Sequence, residues 1–459
     1  MRGPVVRHHS IGPPRASPAA RNPVALIVGS TARGIGSSIE AAIRDGDLAP
    51  GARLPTIREL ATELRVSPMT VGTAYRELRR RGLLTAAGRR GTRVSEGPPL
   101  PVSAAPLVPT GVRDLTTGNP DPELLPSLAS ALGRLDPRPR AHPFTNKLDR
   151  LVALAEAHLA ADGIPTPALA IVAGALDGVE RALAAQLAPG DGVAVEDPSF
   201  VRVLDLLRAL GLVPIPVAVD DDGPQPKALE QALAAGAGAF ILTPRWQNPF
   251  GARLTAERAG DLSQVLDKFE DVLLIEDDHA GLIAREPVHT LAPERRRWAT
   301  VRSASKAFGA DFRLAVMTGD SVTIARAEGR QLLGTGWVSH VLQELVANLW
   351  EDETVRKQLE QTANVYAARR RRLLDALAGR GIAAHGASGL NVWIGVAEEA
   401  ATVGALLQRG WAVVAGERWR LRAGPAIRIT TSTLLEDEAD AVAADLADVL
   451  ARRPGAYSS

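Results

Sequence analysis

Ser303-Ala304-Ser305-Lys306-Ala307-Phe308-Gly309-Ala310-Asp311-Phe312-Arg313 continues the β-branched run Thr300–Ser303, and its reading decides the fold of most of the chain. Lysine is scarce in this protein. Lys147, Lys227, Lys268, Lys306 and Lys357 are the only ones, against 48 arginines. A lysine where the chain otherwise prefers arginine points to chemistry, because lysine can shed its proton and attack a carbonyl. Outward from Lys306, short apolar runs alternate with amphipathic stretches. Ala168–Val172, Gly192–Glu196, Ala239–Thr243, Val272–Asp277, Thr300–Ser303 and Leu314–Thr318 are the expected strands. Leu176–Leu187 and Ala256–Asp267 are helical patterns between them. That alternation predicts an α/β domain with a doubly wound sheet. From about Asp352 onward, a long helix, two strand-like runs (Leu390–Val396, Ile427–Thr430) and a final helix predict a smaller α+β lobe.

Open α/β sheets bind ligands at the carboxyl ends of their strands. The side chains gathered there form a set. Lys306 offers an amine. Asp277 ends an apolar strand, where a buried carboxylate needs a cationic partner. Ser303, Ser305 and Arg313 are anion ligands by type and position. Gly174-Ala175-Leu176 turns from strand to helix, and the N–H groups of Ala175 and Leu176 add to that cradle. Asn248, in Asn248-Pro249-Phe250-Gly251, presents an amide donor, and Phe200 can stack on a flat ring. Each alone would pass as an ordinary turn or core residue. Together they meet the needs of pyridoxal 5'-phosphate: a Schiff-base amine, a pyridinium partner, a phosphate cradle, a ring face and a donor to the ring hydroxyl.

In order and spacing this set resembles the fold-type I aminotransferases, over about residues 114–450. The resemblance implies that Lys306 forms the internal aldimine, Asp277 pairs with the pyridine nitrogen and Asn248 binds O3′. It assigns Arg428, in Ala426-Ile427-Arg428-Ile429, to a substrate α-carboxylate, and Gly118-Asn119-Pro120-Asp121 to an early substrate loop through Asn119. Glu276-Asp277-Asp278-His279 departs from the family in having His279 where relatives usually carry tyrosine. Both donate to O3′, but an imidazole can also titrate near neutrality.

The net charge of +1 hides an asymmetry: residues 1–97 carry sixteen arginines and seven acidic residues, so +9 lies there and −8 on the rest. A basic end on an acidic body is the electrostatic footprint of nucleic-acid binding. Residues 1–32 read as a disordered basic tail, rich in Pro, Arg and Ala. Within it, Val24–Gly36 imitates the glycine loop of a nucleotide site. The spacing of its glycines is wrong, and it reads as tail running into a first helix. Residues 33–96 form a compact unit. Arg33–Arg44 is amphipathic. Thr56 caps a second helix, with Glu59 as capping-box partner. Ser67-Pro68 opens a third, running to about Arg81. Leu83–Thr85 and Thr92–Val94 flank a wing. This geometry places the third helix in a DNA major groove, so Ser67, Met69 and Thr70 face bases or phosphates. Arg58 and the wing residues Arg89, Arg90, Gly91 and Thr92 would hold the backbone. A Pro-rich linker over 97–113 leads to the large domain, 114–459.

Leu54-Pro55-x-x-Arg58-Glu59-Leu60, Ser67-x-x-Thr70-Val71-x-x-Ala74-Tyr75 and Gly82-Leu83-Leu84 resemble the GntR winged-helix regulators. Winged helix, linker and aminotransferase domain together resemble the MocR subfamily of that family. The resemblance implies a PLP-dependent, DNA-binding transcription regulator, controlled by PLP and an amine or amino-acid effector that forms an external aldimine. It also implies a head-to-tail homodimer. A working aminotransferase carrying a DNA-binding unit is the alternative, and a pure vitamin B6 sensor a third reading. Absence of cysteine excludes disulfides, thiolate zinc sites and thiol catalysis. The eight histidines show no metal-ligand spacing, so no metal is expected. The longest early apolar run, Val24–Val28, is too short for a signal peptide or membrane span, so a cytoplasmic protein is expected.

Overall fold

The computed structural model describes residues 26–80, 82–86, 91–95, 108–136, 138 and 145–451. Expectations for residues 1–25, for Arg89 and Arg90, and for most of the linker lie outside these residues. The chain divides into two compact units, Met1–Ser103 and Ala104–Ser459.

In the first unit, α1 (Ala32–Arg44), α2 (Ile57–Leu64) and α3 (Pro68–Arg80) precede a two-stranded hairpin, β1 (Leu84–Ala86) and β2 (Thr92–Val94). Local chemistry sets the boundaries. Thr56 Oγ1 accepts from Glu59 N at 3.2 Å, and Thr56 N donates to Glu59 Oε2 at 2.7 Å, completing the capping box. Ser67 Oγ accepts from Thr70 N at 3.1 Å, with Pro68 first in α3. Ile35, Ile39, Leu60, Val71, Tyr75 and Leu78 form the core. The buried Tyr75 hydroxyl donates to Pro55 O at 2.8 Å, tying α3 to the start of α2.

Two boundaries differ from the sequence reading. Residues 26–32, expected as part of the tail, belong to the folded unit: Ile27 is buried in its core and Val28 N donates to Ser38 Oγ at 2.9 Å. Composition marked this stretch as tail, but Ile27 packs into the core with Ile35 and Ile39, and Ser38 bonds its backbone. The wing also gains a neighbour: Arg53 bridges to Arg93 and Leu54 N donates to Thr92 O at 2.9 Å.

The second unit opens with β3 (Arg113–Asp114), α4 (Ala129–Gly133) and α5 (Asp149–Ala161). Its large part then runs β4 (Leu169–Val172), α6 (Ala175–Gln186), β5 (Gly192–Asp197), α7 (Val201–Ala209), β6 (Val213–Asp220), β7 (Gly223–Pro224), α8 (Pro226–Ala234), β8 (Ala237–Leu242) and α9 (Ala256–Leu266). It continues with β9 (Leu273–Asp278), β10 (Trp298–Ser303), α10 (Ser305–Phe308), β11 (Ala315–Gly319), α11 (Ser321–Leu332) and α12 (His340–Glu351). Eight strands form one mixed sheet in the order β4-β11-β10-β9-β8-β5-β6-β7. From β10 to β6 the neighbours are parallel, while β11 runs antiparallel to both β10 and β4. Apolar clusters cover both faces, which is why these strands read as continuous apolar runs rather than alternating ones.

β6 escaped the sequence reading because Pro214 and Pro216 interrupt it. Val213 N donates to Asp191 O, so the alternate positions 214 and 216 face away from β5, where a missing N–H costs little.

The smaller lobe contains α13 (Glu353–Ala378), β12 (Asn391–Gly395), α14 (Glu399–Gln408), β13 (Trp411–Ala412), β14 (Val414–Ala415), β15 (Ala426–Thr430) and α15 (Glu436–Ala451). It also takes a segment from far upstream. β3 pairs with β13, Arg113 against Trp411, and Leu115 is buried in the lobe's core. The lobe is therefore not a purely C-terminal piece beginning near 352.

Candidate functional site

The carboxyl ends of β9 and β10 lie side by side, Asp277 in register with Val301 and Asp278 with Arg302. Successive strand residues point to opposite faces of a sheet. Asp277 is on the Lys306 side, and its Oδ1 is buried without a hydrogen-bond partner. Burial, aided by Asp278 and opposed by Lys306, raises its carboxyl to about 7. Lys306 stands in the single-turn α10 and its Nζ donates to Gly118 O at 2.8 Å. Burial and the nearby Arg428 lower Lys306 to about 8, with Asp277 pulling the other way. An amine that deprotonates near neutrality is suited to nucleophilic attack.

The anion cradle is formed by backbone as much as by side chains. Gly174 holds φ +101° at the start of α6, and a Cβ there would lie 2.7 Å from Arg313 Nη2. Glycine thus lets Arg313 approach the helix end that carries the N–H groups of Ala175 and Leu176. Ser303 Oγ lies 2.9 Å from Ser305 Oγ and accepts from Ser305 N at 3.2 Å. Among the described residues no carboxylate pairs with Arg313.

Arg428 comes from the small-lobe strand β15 and is 2% exposed. Its guanidinium donates to Asn248 Oδ1 at 3.0 Å and to Thr116 O, and Nε has no partner. Trp419 lies on one face at 4.3 Å. Gly118 lies on it too, where a Cβ would come within 3.2 Å of Nη1. Burial lowers Arg428 to about 9. Trp419 also meets Phe200, with ring centroids 6.0 Å apart. Asn391 Nδ2 donates to Asn248 Oδ1 at 3.3 Å, and Thr430 Oγ1 donates to Asn391 Oδ1 at 3.0 Å.

Most expected residues therefore meet, with two differences. Asn119 is exposed and its N–H goes to Thr117 Oγ1, so Gly118, not Asn119, touches Lys306 and Arg428. His279 does not titrate near neutrality: burial, reinforced by Lys306, lowers it to about 4 and keeps the imidazole neutral.

Thr116, Gly118, Asn391, Trp419 and Thr430 were missed. They come from segments hundreds of residues apart, and only the small lobe's docking joins them. Also missed was a charge cluster behind the strand ends. Asp278 accepts from Arg245 Nε at 2.8 Å and from Arg302 Nε at 2.9 Å. Both guanidiniums reach Asp162 Oδ2, at 3.0 and 2.7 Å. Arg302 also lies 2.6 Å from His158 Nδ1. Burial alone would raise Asp278, but the two arginines outweigh it and hold the carboxyl far below its usual range. Burial and Arg302 lower His158 to about 4, so its Nδ1 accepts from Arg302. Gly281 is required there, since a Cβ would sit 2.4 Å from both Arg302 Nε and Asp278 Oδ2. The one available signal was Arg302 itself, an arginine inside an apolar strand.

On the first unit, Ser67, Met69 and Arg58 are exposed and Thr70 half-buried at the helix surfaces. Thr73 and Arg76, not anticipated, share that face: Arg76 Nη2 donates to Thr73 Oγ1 at 2.8 Å. Gly91 has φ +84° and Thr92 begins β2.

The chain matches two family models. "Aminotransferase class I and II" covers residues 113–446, and "Bacterial regulatory proteins, gntR family" residues 31–94. It is 41% identical to the vitamin B6 salvage pathway transcriptional repressor PtsJ of Salmonella typhimurium, over 93% of this chain and 100% of that one. It is 29% identical to the pyridoxine biosynthesis transcriptional regulator PdxR of Corynebacterium glutamicum, over 72% of this chain and 75% of that one. The fold is shared with Pyrococcus horikoshii kynurenine aminotransferase at a TM-score of 0.67 and 21% identity, over 74% of this chain and 91% of that one. Pyridoxal 5'-phosphate is the cofactor of this domain family, and the unpartnered Asp277 Oδ1, the Lys306 amine and the Gly174–Arg313 cradle fit it. No helix among the described residues is long and apolar enough to cross a membrane. With a GntR winged helix joined to a fold-type I aminotransferase domain, and a relative matched from end to end, the chain belongs to the MocR subfamily of GntR transcription regulators.

Proposed function

We propose that this chain is a transcription regulator whose DNA binding is set by PLP, and by an amine or amino-acid effector, at the Lys306 site. The observation that carries the reading is Asp277 Oδ1, a buried acceptor without a partner facing a lysine of lowered proton affinity, in a chain that also bears a winged helix. When bound, PLP supplies an aldehyde carbon that takes up amines reversibly. Lys306 is the resident amine there and gives way to an effector amine. Asp277 holds the ring nitrogen, Asn248 and neutral His279 serve the ring hydroxyl, and Phe200 covers a face. Ser303, Ser305, Arg313 and the N–H groups of Ala175 and Leu176 hold the phosphate. Arg428 receives an effector carboxylate through its remaining donors. Two chains arranged head to tail would present two winged helices, and differential contacts at the site would bias their spacing. Arg58, Ser67, Met69, Thr70, Arg89, Arg90, Gly91 and Thr92 make the DNA contacts.

The second reading, an active aminotransferase, is favoured by the Arg428–Asn248 pair standing beside Lys306. One experiment separates the two. The full chain is titrated onto its own upstream DNA by fluorescence anisotropy, with and without PLP, and then with amino acids while ring absorbance is followed. A PLP-dependent change in DNA affinity with no conversion to the pyridoxamine form supports the regulator. Steady conversion with DNA affinity indifferent to PLP supports the enzyme.

A further inference from the structure

We infer that Met69 reads a thymine 5-methyl group in the major groove, so that an operator half-site carries a thymine whose methyl, not its hydrogen-bonding edge, is recognised. The inference rests on the regulator reading above and names what one reading residue sees.

α3 has two faces. Val71, Ala74, Tyr75 and Leu78 are buried in the unit's core. Met69, Thr73 and Arg76, spaced along one stripe, are exposed. Met69 is 75% exposed, the most exposed large apolar side chain among the described residues of this unit. Isolated surface apolar residues are common and carry little by themselves. What singles out Met69 is that its polar neighbours at the helix start are short and bonded to one another. Ser67 Oγ is taken by Thr70 N at 3.1 Å and by Thr70 Oγ1 at 2.9 Å. Thr73 Oγ1 donates to Met69 O at 2.9 Å and accepts from Arg76 at 2.8 Å. Pro68 has neither a side-chain donor nor an amide hydrogen, and Gly72 has no side chain. The first turn of α3 therefore offers the groove one long, flexible apolar side chain, beside short hydroxyls suited to backbone or base-edge contacts.

That side chain has no donor and only a weak thioether acceptor. Hydrogen-bond readout of a base edge is closed to it. The apolar feature that the four bases present in the major groove is the thymine methyl, and contact with it is apolar readout. Methionine's unbranched, flexible chain suits a contact of this kind.

The test uses the full chain with PLP. A half-site is selected from a randomised duplex pool, and each thymine is then replaced in turn by deoxyuridine, which removes the methyl and nothing else. At the position read by Met69, this replacement should weaken wild-type binding about fourfold, the equivalent of one buried methyl at about 0.8 kcal/mol. Met69→Ala should bind the thymine duplex more weakly and be indifferent to deoxyuridine there, while Met69→Leu should keep the sensitivity. Because Met69 is exposed, both variants should melt like wild type. If no thymine gives a methyl effect, or the effect is equal in wild type and Met69→Ala, the assignment is overturned while the regulator reading stands. If the full chain enriches no sequence at all, both fall.

Discussion

The helix start at Thr56–Glu59 and the buried cluster at Asp278–Arg302 are both polar contacts under 3.3 Å, yet they are assembled from different distances along the chain. Thr56 and Glu59 are three residues apart and exposed, and their geometry follows from the first turn of a helix. Asp278, Arg302, Arg245, Asp162 and His158 come from two strands, a loop and a helix end, and the first three are buried. Water competes for every bond in the first group and for few in the second. In the winged helix, the candidate DNA-reading side chains Arg58, Ser67 and Met69 are exposed on a locally specified scaffold. In the large domain they are withdrawn from water, and burial shifts the proton affinities of Asp277, Lys306, His279 and Arg428. A site that works through altered acid–base properties must be buried, whereas one that reads a groove must be exposed.

The sharpest way to break this contrast is Lys306→Ala. It should abolish the visible band of the lysine-bound cofactor while PLP still binds non-covalently through Ser303, Ser305 and Arg313. An unchanged band would mean that another lysine does the chemistry. Next comes Arg302→Ala. It leaves the buried Asp278, and the half-buried Asp162 beside it, with one cation fewer and should cost about 3–5 kcal/mol in the denaturant unfolding of the large domain. A loss below 1 kcal/mol would show that the cluster is hydrated and that burial is not what distinguishes the two regions.

Arg428→Ala tests the effector side and the electrostatics together. Affinity for a carboxylated amine should drop by about 1.5–3 kcal/mol in a spectral titration, with PLP retained. The same variant should change the pH profile of PLP uptake by the apo-protein. Lys306 lies near 8 rather than its ordinary 10.5, so its neutral, reactive form is gained as pH rises through 8 and lost below it. Arg428 lowers that value, so its removal should move the midpoint upward. A midpoint that stays put would separate Arg428 from Lys306. The smallest effect is expected at the exposed cap. Thr56→Ala should cost about 1 kcal/mol, read as roughly fivefold faster hydrogen exchange at the first amides of α2, without altering the PLP spectrum.

These differences also explain what could be read early. The capping box, the Ser67-Pro68 helix start and the strand preceding Lys306 depend on neighbours within a few residues, and the structure places them where the spacing puts them. The family resemblance points to Asn119 in the early substrate loop, but the turn at Gly118, with φ +63°, gives the contacts with Lys306 and Arg428 to the glycine. From the sequence, the His279 imidazole could titrate near neutrality; the packing around it lowers its proton affinity and keeps it neutral.

The sequence by itself determined the two domain types and most strands of the large sheet, and it singled out Lys306 and the strand-end Asp277 as candidates. These follow from periodicity, caps and residue chemistry, which act over a few residues. Tertiary structure decided that β3 joins the small lobe, that Trp419 and Gly118 both pack against the Arg428 guanidinium, and that Asp278 is held by two arginines. The physical reason is that burial and long-range ion pairing depend on which distant segments exclude water together, and no local pattern encodes that exclusion.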